Sequence, residues 1–148
     1  MPIIFKTGDI FSEPNLTHII NTVNCVGVMG KGLALEFKKR YPKVYEEYKE
    51  NCDRSEYKPG SIFFSYQYLD ITIINFATKD HWRNPSQIEW IEKGLIALRA
   101  ALENHSDYSV GIPPLGCGLG GLHWKDVKSL IIRHLGDLPT RIVVFEPA

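Results

Sequence analysis

The chain has 148 residues, and its 17 Lys and Arg residues balance its 17 Asp and Glu residues. The length is typical of one domain with a buried core, and a hydrophobic share of 44% is that of a soluble globular protein. Broad nucleic-acid surfaces carry a basic excess, so we expect any nucleic-acid contact here to be local. The N-terminus lacks a signal-peptide pattern and no apolar run approaches bilayer length, so we expect a cytoplasmic protein without a membrane segment.

Apolar runs alternate with helical periodicity along the chain. Helical spacing begins at Leu33 and is divided in two by Pro42, a third helix starts at a capping box over 86–89, and a fourth runs from Trp124 to a stop at Gly136. Strands that alternate with helices, several of them buried on both faces, predict a layered α/β/α domain over 1–148. The predicted strands are 3–5, 18–21, 61–64, 71–76, 108–112 and 141–145, with a turn at 67–70.

Cysteine and histidine positions follow no ligand pattern. Cys25, Cys52 and Cys117 are odd in number and lack CxxC spacing, and the five histidines are scattered along the chain. We therefore expect neither a disulfide framework nor a metal site, and no cofactor is indicated.

Two glycine-rich loops each follow a predicted strand, at 21–32 and 114–121. Glycine lets backbone N–H groups approach a ligand closely because it has no Cβ. A helix that follows such a loop adds exposed N–H groups and the positive end of its dipole, which suit a phosphate. Two such loops predict that both contact the same ligand from different sides, and a diphosphate is the leading candidate for that ligand.

Other interpretations of these glycines are weaker. Gly116, Gly118 and Gly121 satisfy the GxGxxG fingerprint of dinucleotide folds, with Glu146 as the distal acidic residue. Only one strand follows this motif, however, whereas a dinucleotide fold needs a second half beyond it. The first loop is not a Walker A loop, since Gly30-Lys31 is followed by Gly32 rather than Ser or Thr. Both loops as mere tight turns remain the plain alternative.

Polar residues after the first two strands have two interpretations each. Asp9 either caps a short turn or accepts a hydrogen bond from an exocyclic amine such as that of adenine. Asn21 and Asn24 fall at a strand end, where side chains of open α/β folds commonly face a ligand. A role as Asx-turn residues is equally compatible with their chemistry.

The loop at 78–85 gathers Lys79, His81, Trp82 and Arg83 directly after a predicted buried strand. Such a cluster suits a base or sugar stacked on the indole, with a phosphate near the guanidinium. The alternative is a surface loop with a half-buried tryptophan.

Together these motifs resemble the macrodomain, a fold that binds ADP-ribose. The resemblance covers essentially all 148 residues and implies a three-layer α/β/α fold with a mixed, mostly parallel sheet. Within the family, 28–32 and 78–82 resemble a branch that contains the terminal ADP-ribose–protein glycohydrolase and the DarG antitoxins. DarG proteins remove ADP-ribose from thymidine in DNA modified by the DarT toxin, and they usually carry a further C-terminal domain that has no counterpart in these 148 residues. The motifs that carry the resemblance are 8–10, 21–24, 27–32 and 116–122.

The resemblance also implies residue roles. Asp9 would contact adenine, Asn21 and Thr22 would face the distal ribose under the turn at 30–34, and 116–120 would hold the diphosphate through backbone N–H groups. Lys79 corresponds to the family's catalytic lysine. Apart from the resemblance, we take Asn21 as the next catalytic candidate, and the chemistry of their loop makes Trp82 and Arg83 candidate DNA contacts. The implied ADP-ribose site consists of Gly8, Asp9, Ile10, Ile20, Asn21, Thr22, Asn24, Gly30, Lys31, Gly32, Leu33, Ala34, His81, Gly116, Cys117, Gly118, Leu119 and Gly120.

One position departs from part of this branch. The protein-directed glycohydrolase has an aspartate where this chain has Gly120, which argues against a lysine–aspartate mechanism and favours the DNA-directed group.

Two chemical routes remain open for Lys79. As a cation it would stabilise or protonate the departing thymine, and as a neutral amine it would attack C1″ of the distal ribose. The second route requires burial or a nearby cation such as Arg83 to lower the lysine pKa.

The resemblance therefore implies an ADP-ribosyl glycohydrolase acting on ADP-ribosylated thymidine in single-stranded DNA. A hydrolase of ADP-ribose esters on protein carboxylates, or of O-acetyl-ADP-ribose, is the first alternative. A non-catalytic ADP-ribose reader is the second, although a reader gains nothing from a lysine at the distal ribose. The expected partners are ADP-ribose, ADP-ribosylated single-stranded DNA and a DarT-type toxin, with a monomeric chain and no metal.

Overall fold

The structure, a computed structural model, describes residues 3–148. Within these residues no helix is both long and apolar enough to cross a bilayer. The predicted strands and helices are all present, with ends that differ by a few residues. In chain order they are β1 (Ile4–Lys6), β2 (His18–Val23), α1 (Gly32–Arg40), α2 (Pro42–Asp53), β3 (Ile62–Ser65), β4 (Thr72–Ala77), α3 (Ile88–Leu102), β5 (Ser109–Ile112), α4 (Trp124–Leu135) and β6 (Arg141–Phe145).

The six strands form one sheet in the order β1-β6-β5-β2-β4-β3. All neighbouring pairs are parallel except β3–β4, which is the antiparallel pair at one edge. The mixed, mostly parallel sheet is thus confirmed. Because β2, β4 and β5 are parallel neighbours, their carboxyl ends lie at the same edge of the sheet, and the loops that follow them meet there.

Both faces of the sheet are buried, as the apolar strands predict. Ile20 and Ile74 pack with α3 and α4 on one face, whereas Ile19 and Ile73, one residue earlier in each strand, pack with Phe37 of α1 on the other. This alternation follows from the period of two in a strand, which sends successive side chains to opposite faces. Helices on both faces give the three-layer α/β/α arrangement.

The boundary between α1 and α2 follows the prediction, but the start of α3 does not. Pro42 is the first residue of α2, where a missing N–H costs nothing. The predicted capping box at Ser86 is wrong: α3 begins at Ile88 with Gln87 as its N-cap, and no side chain caps it. Ser86 instead donates its backbone N–H to the carbonyl of Gly120 at 2.9 Å, so a contact with a distant loop sets its position.

Candidate functional site

A cleft of about 910 Å³ opens at the carboxyl edge of the sheet. This volume is within the usual range of small-molecule sites. Its walls come from three loops, which follow β2, β4 and β5, and from the first residues of α1. The two glycine-rich loops and the loop at 78–85 therefore face one shared space.

The cleft is positively charged although the chain is neutral. Lys31, Lys79 and Arg83 line it, and its described lining residues include no Asp or Glu. Some cations elsewhere pair with carboxylates, as Lys6 does with Glu13 at 2.8 Å. The lack of carboxylates in the wall leaves no pair for ordinary two-carboxylate glycoside hydrolysis there. An anionic ligand, in contrast, fits this charge.

The second glycine loop exposes its backbone at Gly118. Gly116 has φ +70° and Gly118 has φ +66°, a left-handed conformation that side chains with a Cβ rarely adopt. A Cβ on Gly118 would meet no atom within 4 Å, so the peptide borders open space. A Cβ on Gly120 would lie 2.6 Å from Oγ of Ser86, and an aspartate at position 120 would require Ser86 to move.

The Asn24 side chain holds the first glycine loop in shape. Its Oδ1 accepts hydrogen bonds from the Val26 N–H at 3.1 Å and from the Tyr48 hydroxyl at 2.7 Å, and its Nδ2 donates to the Val28 carbonyl at 2.8 Å. The residue lines the cleft, but these bonds occupy its amide. Its side chain therefore plays the Asx-turn role that the sequence left open.

Asn21 lies behind the cleft wall rather than in it. The side chain is fully buried, and its Nδ2 donates to Oδ1 of Asn75 at 3.2 Å and contacts Sδ of Met29 at 4.0 Å. Its Oδ1 has no hydrogen-bond partner within residues 3–148. A catalytic role for Asn21 stays a prediction that this geometry does not support.

Asp9 caps a short 3₁₀ turn over Ile10–Ser12. Its Oδ1 accepts from the Phe11 N–H at 3.0 Å and its Oδ2 accepts from the Ser12 hydroxyl at 3.2 Å. The carboxylate keeps free lone pairs, since each oxygen can accept more than one hydrogen bond. Contact with adenine therefore stays a prediction, compatible with the cap.

Lys79 joins the loops after β4 and β5. Its Nζ donates to the carbonyl of Leu119 at 3.1 Å and to that of Trp82 at 3.4 Å. Partial burial lowers the pKa of the Lys79 ammonium. The two carbonyl oxygens act in the opposite direction, because their dipoles favour the charged form. The amine is thus a cation held at the meeting point of the two loops.

The rest of the 78–85 loop is pinned by its own side chains. Asp80 Oδ1 accepts from the His81 N–H at 2.7 Å and from Nδ2 of Asn84 at 3.2 Å, and His81 Nδ1 accepts from the Arg83 N–H at 3.1 Å. The Arg83 guanidinium lies 4.7 Å from the centre of the Trp82 ring. This internal bonding presents the indole, 45% exposed, on the rim of the cleft.

Cys25 ties the first loop to the lysine loop. Its Sγ donates to the Lys79 carbonyl at 3.3 Å, and its N–H donates to the Asp80 carbonyl at 3.1 Å. Burial raises the pKa of the Cys25 thiol to about 12, so it remains protonated near neutral pH. The residue acts as a hydrogen-bond donor rather than as a nucleophile.

Most predicted site residues meet in the cleft, and sequence reasoning missed some of its walls. Those outside the lining are Gly8, Asp9, Ile10, Ile20, Asn21, His81 and Gly118. Those that line it are Thr22, Asn24, Gly30, Lys31, Gly32, Leu33, Ala34, Lys79, Trp82, Arg83, Gly116, Cys117, Leu119 and Gly120. The missed residues are Val23, Val28, Thr78, Asn84, Pro85, Ser86, Pro113, Pro114 and Gly121. For Pro113 and Pro114, their place directly after a predicted strand was an available signal.

The sequence profile of the Macro domain matches residues 20–131, three quarters of the chain. The chain belongs to the macrodomain family. The resemblance drawn from the loop motifs is thereby confirmed, and the cleft lies between the motifs that carried it.

Sequence relatives and solved structures show which members of the family this macrodomain resembles. A DNA ADP-ribosyl glycohydrolase of Mycobacterium tuberculosis is 43% identical over an alignment of 148 positions, which covers 98% of this chain and 42% of the relative. The macrodomain of Thermus aquaticus DarG has a TM-score of 0.88 at 39% identity and covers 98% of both chains. The structure titled Thermosipho africanus DarTG in complex with ADP-ribose has a TM-score of 0.85 at 35% identity, over 95% of this chain and 40% of that one. The chain spans about two fifths of the length of the curated relatives it matches.

Proposed function

We propose that this macrodomain is the catalytic unit of a DNA ADP-ribosyl glycohydrolase, which removes ADP-ribose from thymidine in single-stranded DNA. The observation that carries the proposal is the position of Lys79, a cation held by two loop carbonyls in a cleft without carboxylates. Relatives about 40% identical over nearly the whole chain carry the same activity in their names. A DarT-type toxin, which would make this substrate, is the partner we propose, with the chain acting as a monomer.

ADP-ribose would lie along the cleft between the two glycine loops. Its diphosphate would accept hydrogen bonds from the backbone at 116–120. The Cys117 and Gly120 N–H groups there already donate within the loop, and the Gly118 peptide borders open space. The distal ribose would lie under the turn at 30–34, beside Thr22. In this position the C1″ atom of the ribose would face Lys79. Adenine would extend beyond the cleft towards Asp9.

Lys79 would act on the departing base. The bond between C1″ and a thymine nitrogen breaks, its electron pair moves to the base, and the Lys79 ammonium donates a proton to it. A water molecule adds to C1″ and loses a proton, which restores the ammonium. We favour this route over attack by a neutral amine because Nζ faces two carbonyl oxygens, which stabilise the charged form.

The alternatives receive less support from the cleft. Hydrolysis of protein esters by a lysine–aspartate pair lacks its carboxylate, since position 120 is glycine and Oγ of Ser86 occupies the space beside it. A reader without activity would have no use for a lysine at the cleavage point. O-acetyl-ADP-ribose remains a secondary substrate to be tested alongside the others.

A comparison of three substrates tests the proposal. The protein is incubated separately with an oligonucleotide carrying ADP-ribosylated thymidine, a peptide carrying ADP-ribosylated glutamate, and O-acetyl-ADP-ribose, and released ADP-ribose is measured by mass spectrometry. We expect release from the oligonucleotide to be fastest. Binding of ADP-ribose without release from the oligonucleotide would show that the function is wrong.

A further inference from the structure

The mouth of the cleft carries two cations that are not needed at the cleavage point. Lys31 is exposed at the start of α1, and within residues 3–148 its ammonium has no hydrogen-bond or ion-pair partner. Arg83 lines the cleft from the loop after β4. Its guanidinium lies 4.7 Å from the centre of the Trp82 ring and has no ion-pair partner among the described residues. Some cations elsewhere pair with carboxylates, as Lys128 does with Glu146 at 3.0 Å. Two unpaired charges therefore stand on different loops around one opening.

Two exposed apolar side chains accompany these cations. Leu119 is 72% exposed and Trp82 is 45% exposed, and both line the cleft, so their apolar surfaces lie beside one opening. Lys79 donates to the backbone carbonyls of both residues, at 3.1 and 3.4 Å. Any leaving group that meets the lysine is thus close to both residues.

We propose that Lys31, Arg83, Trp82 and Leu119 form a track for single-stranded DNA across the mouth of the cleft. Phosphates on the two sides of the modified nucleotide contact Lys31 and Arg83, and the thymine leaves between Trp82 and Leu119. The proposal rests on the proposed function and extends it, because it assigns contacts to unmodified parts of the strand. It also assigns the Leu119 side chain to the base, whereas its backbone belongs to the diphosphate loop.

The chemistry of the four side chains favours a nucleic-acid strand over a peptide. Single strands bind where cations follow the phosphates and flat or apolar side chains carry the bases. A duplex would keep its bases stacked and away from Lys79. An acidic peptide would use the cations but would leave Trp82 and Leu119 without a matching surface.

The salt dependence of binding tests the two cations. We would measure affinity for an unmodified, fluorescently labelled oligothymidine at several salt concentrations. Two phosphate contacts predict that log K falls against log salt with a slope of about −1.4, and Lys31→Ala and Arg83→Ala should each reduce that slope by about 0.7. Lys39→Ala is the matched control, since it removes the same charge from the same helix, about 12 Å further along its axis.

The control must keep the wild-type slope. A wild-type slope of log K against log salt near zero would overturn the track. So would Lys31→Ala and Arg83→Ala variants with the wild-type slope. So does a Lys31→Ala variant that loses affinity for free ADP-ribose alone, because Lys31 would then contact only the ADP-ribose moiety. Tighter binding of an acidic peptide than of oligothymidine would replace DNA by a peptide as the occupant.

Turnover tests the apolar pair. We expect Leu119→Ala and Trp82→Ala each to lower kcat/KM on ADP-ribosylated oligonucleotide at least about five-fold, the low end for a lost base contact. Affinity for free ADP-ribose, measured by calorimetry, should change less than three-fold, since a general loop defect would lower both. Leu69→Ala, at an exposed leucine between β3 and β4, is the matched control and should change neither.

These outcomes separate the two proposals. Wild-type protein that releases no ADP-ribose from the oligonucleotide refutes the proposed function. Wild-type protein that is active, with Leu119→Ala and Trp82→Ala equal to it in turnover, refutes only the track.

Discussion

At the amino ends of β2, β5 and β6, polar groups form hydrogen bonds and ion pairs with one another. At the carboxyl ends of β2, β4 and β5, charged side chains instead face an open cleft. Thr17 Oγ1 donates to the Ser109 carbonyl at 3.1 Å and accepts from the Ser109 N–H at 2.9 Å, and Arg141 donates to Oγ of Ser109 at 2.6 Å and to Glu13 at 3.5 Å. Around the cleft, Lys31 and Arg83 have no carboxylate partner among residues 3–148. A closed network stabilises the fold, and unpaired donors are free to bind a ligand.

The same contrast holds for the backbone. The amino-end network lies between regular strands, but the second glycine loop contains three positive φ values, at Gly116, Gly118 and Gly121. Such a loop gains little stability from its own conformation. We therefore expect substitutions at the cleft to change binding or turnover and substitutions at the amino ends to change stability.

The largest effect is expected at Lys79. Lys79→Ala should lower release of ADP-ribose from DNA at least about 100-fold, the low end for a lost proton-transfer group, while ADP-ribose affinity stays within a few-fold. Single-turnover kinetics and calorimetry measure the two quantities. Lys79→Arg is the informative companion, because it keeps the charge but transfers a proton poorly.

Parallel loss of affinity and turnover in Lys79→Ala would mean that Lys79 only holds the ligand. Unchanged turnover would move catalysis elsewhere. An enzyme–ADP-ribose adduct trapped by borohydride in the wild type would support a ring-opened Schiff-base form of the covalent route instead.

Gly118 tests whether the second loop holds the diphosphate. Gly118→Glu adds a negative charge and a side chain where a Cβ meets only open space, so we expect ADP-ribose affinity to fall about 100-fold or more. Gly118→Ala is the control for backbone strain at φ +66° and should lose much less affinity. Equal calorimetric affinities for the glutamate variant and the wild type would place the diphosphate elsewhere, provided that circular dichroism shows a folded domain.

Substitution of Asp9 distinguishes a structural role as a turn cap from a role in binding the ligand. Asp9→Ala removes a turn cap, which should lower the free energy of unfolding by about 1 kcal/mol. If the carboxylate also binds the adenine amine, ADP-ribose binding should weaken by about 1–3 kcal/mol. The inosine analogue, tested on the wild type by calorimetry, removes only the amine. Equal affinity for both ligands would leave Asp9 as a cap alone.

His18 gives the smallest expected effect, at the opposite end of the sheet. Burial lowers the pKa of His18, with a further contribution from His105, and Asp107 acts in the opposite direction. The unfolded chain therefore binds a proton at about pH 6.5, where the folded protein does not. Through this group, stability should be complete above that pH and should decrease as the pH falls through it.

Urea unfolding of the wild type and His18→Phe between pH 7.5 and 5 measures this contribution. The variant should lose less stability on acidification, because its unfolded state gains one proton fewer. His123→Gln, at an exposed histidine, is the control and should follow the wild type. If the free energy of unfolding of His18→Phe fell with pH as steeply as that of the wild type, His18 would not contribute to the pH dependence of stability.

Local patterns failed where a distant contact competed with them. The residues 86–89 fit a capping box, yet the backbone of Ser86 is bonded to Gly120 and its hydroxyl is buried. Asn21 lies within β2, and its side chain donates to Asn75 and contacts Met29, so its ligand-facing role stays a prediction. Periodicity, in contrast, describes an element's own geometry, and it located the strands and helices well.

The sequence by itself determined the order of strands and helices, the break at Pro42 and the positions of the two glycine-rich loops, because these depend on residue types within a short stretch of the chain. Only the tertiary structure decided which charged groups meet. Lys31 follows β2 whereas Lys79 and Arg83 share the loop after β4, and they line one cleft because β2 pairs in parallel with β4. The two carbonyls that hold Lys79 likewise belong to different loops. Their proximity depends on packing across the sheet, which no local pattern contains.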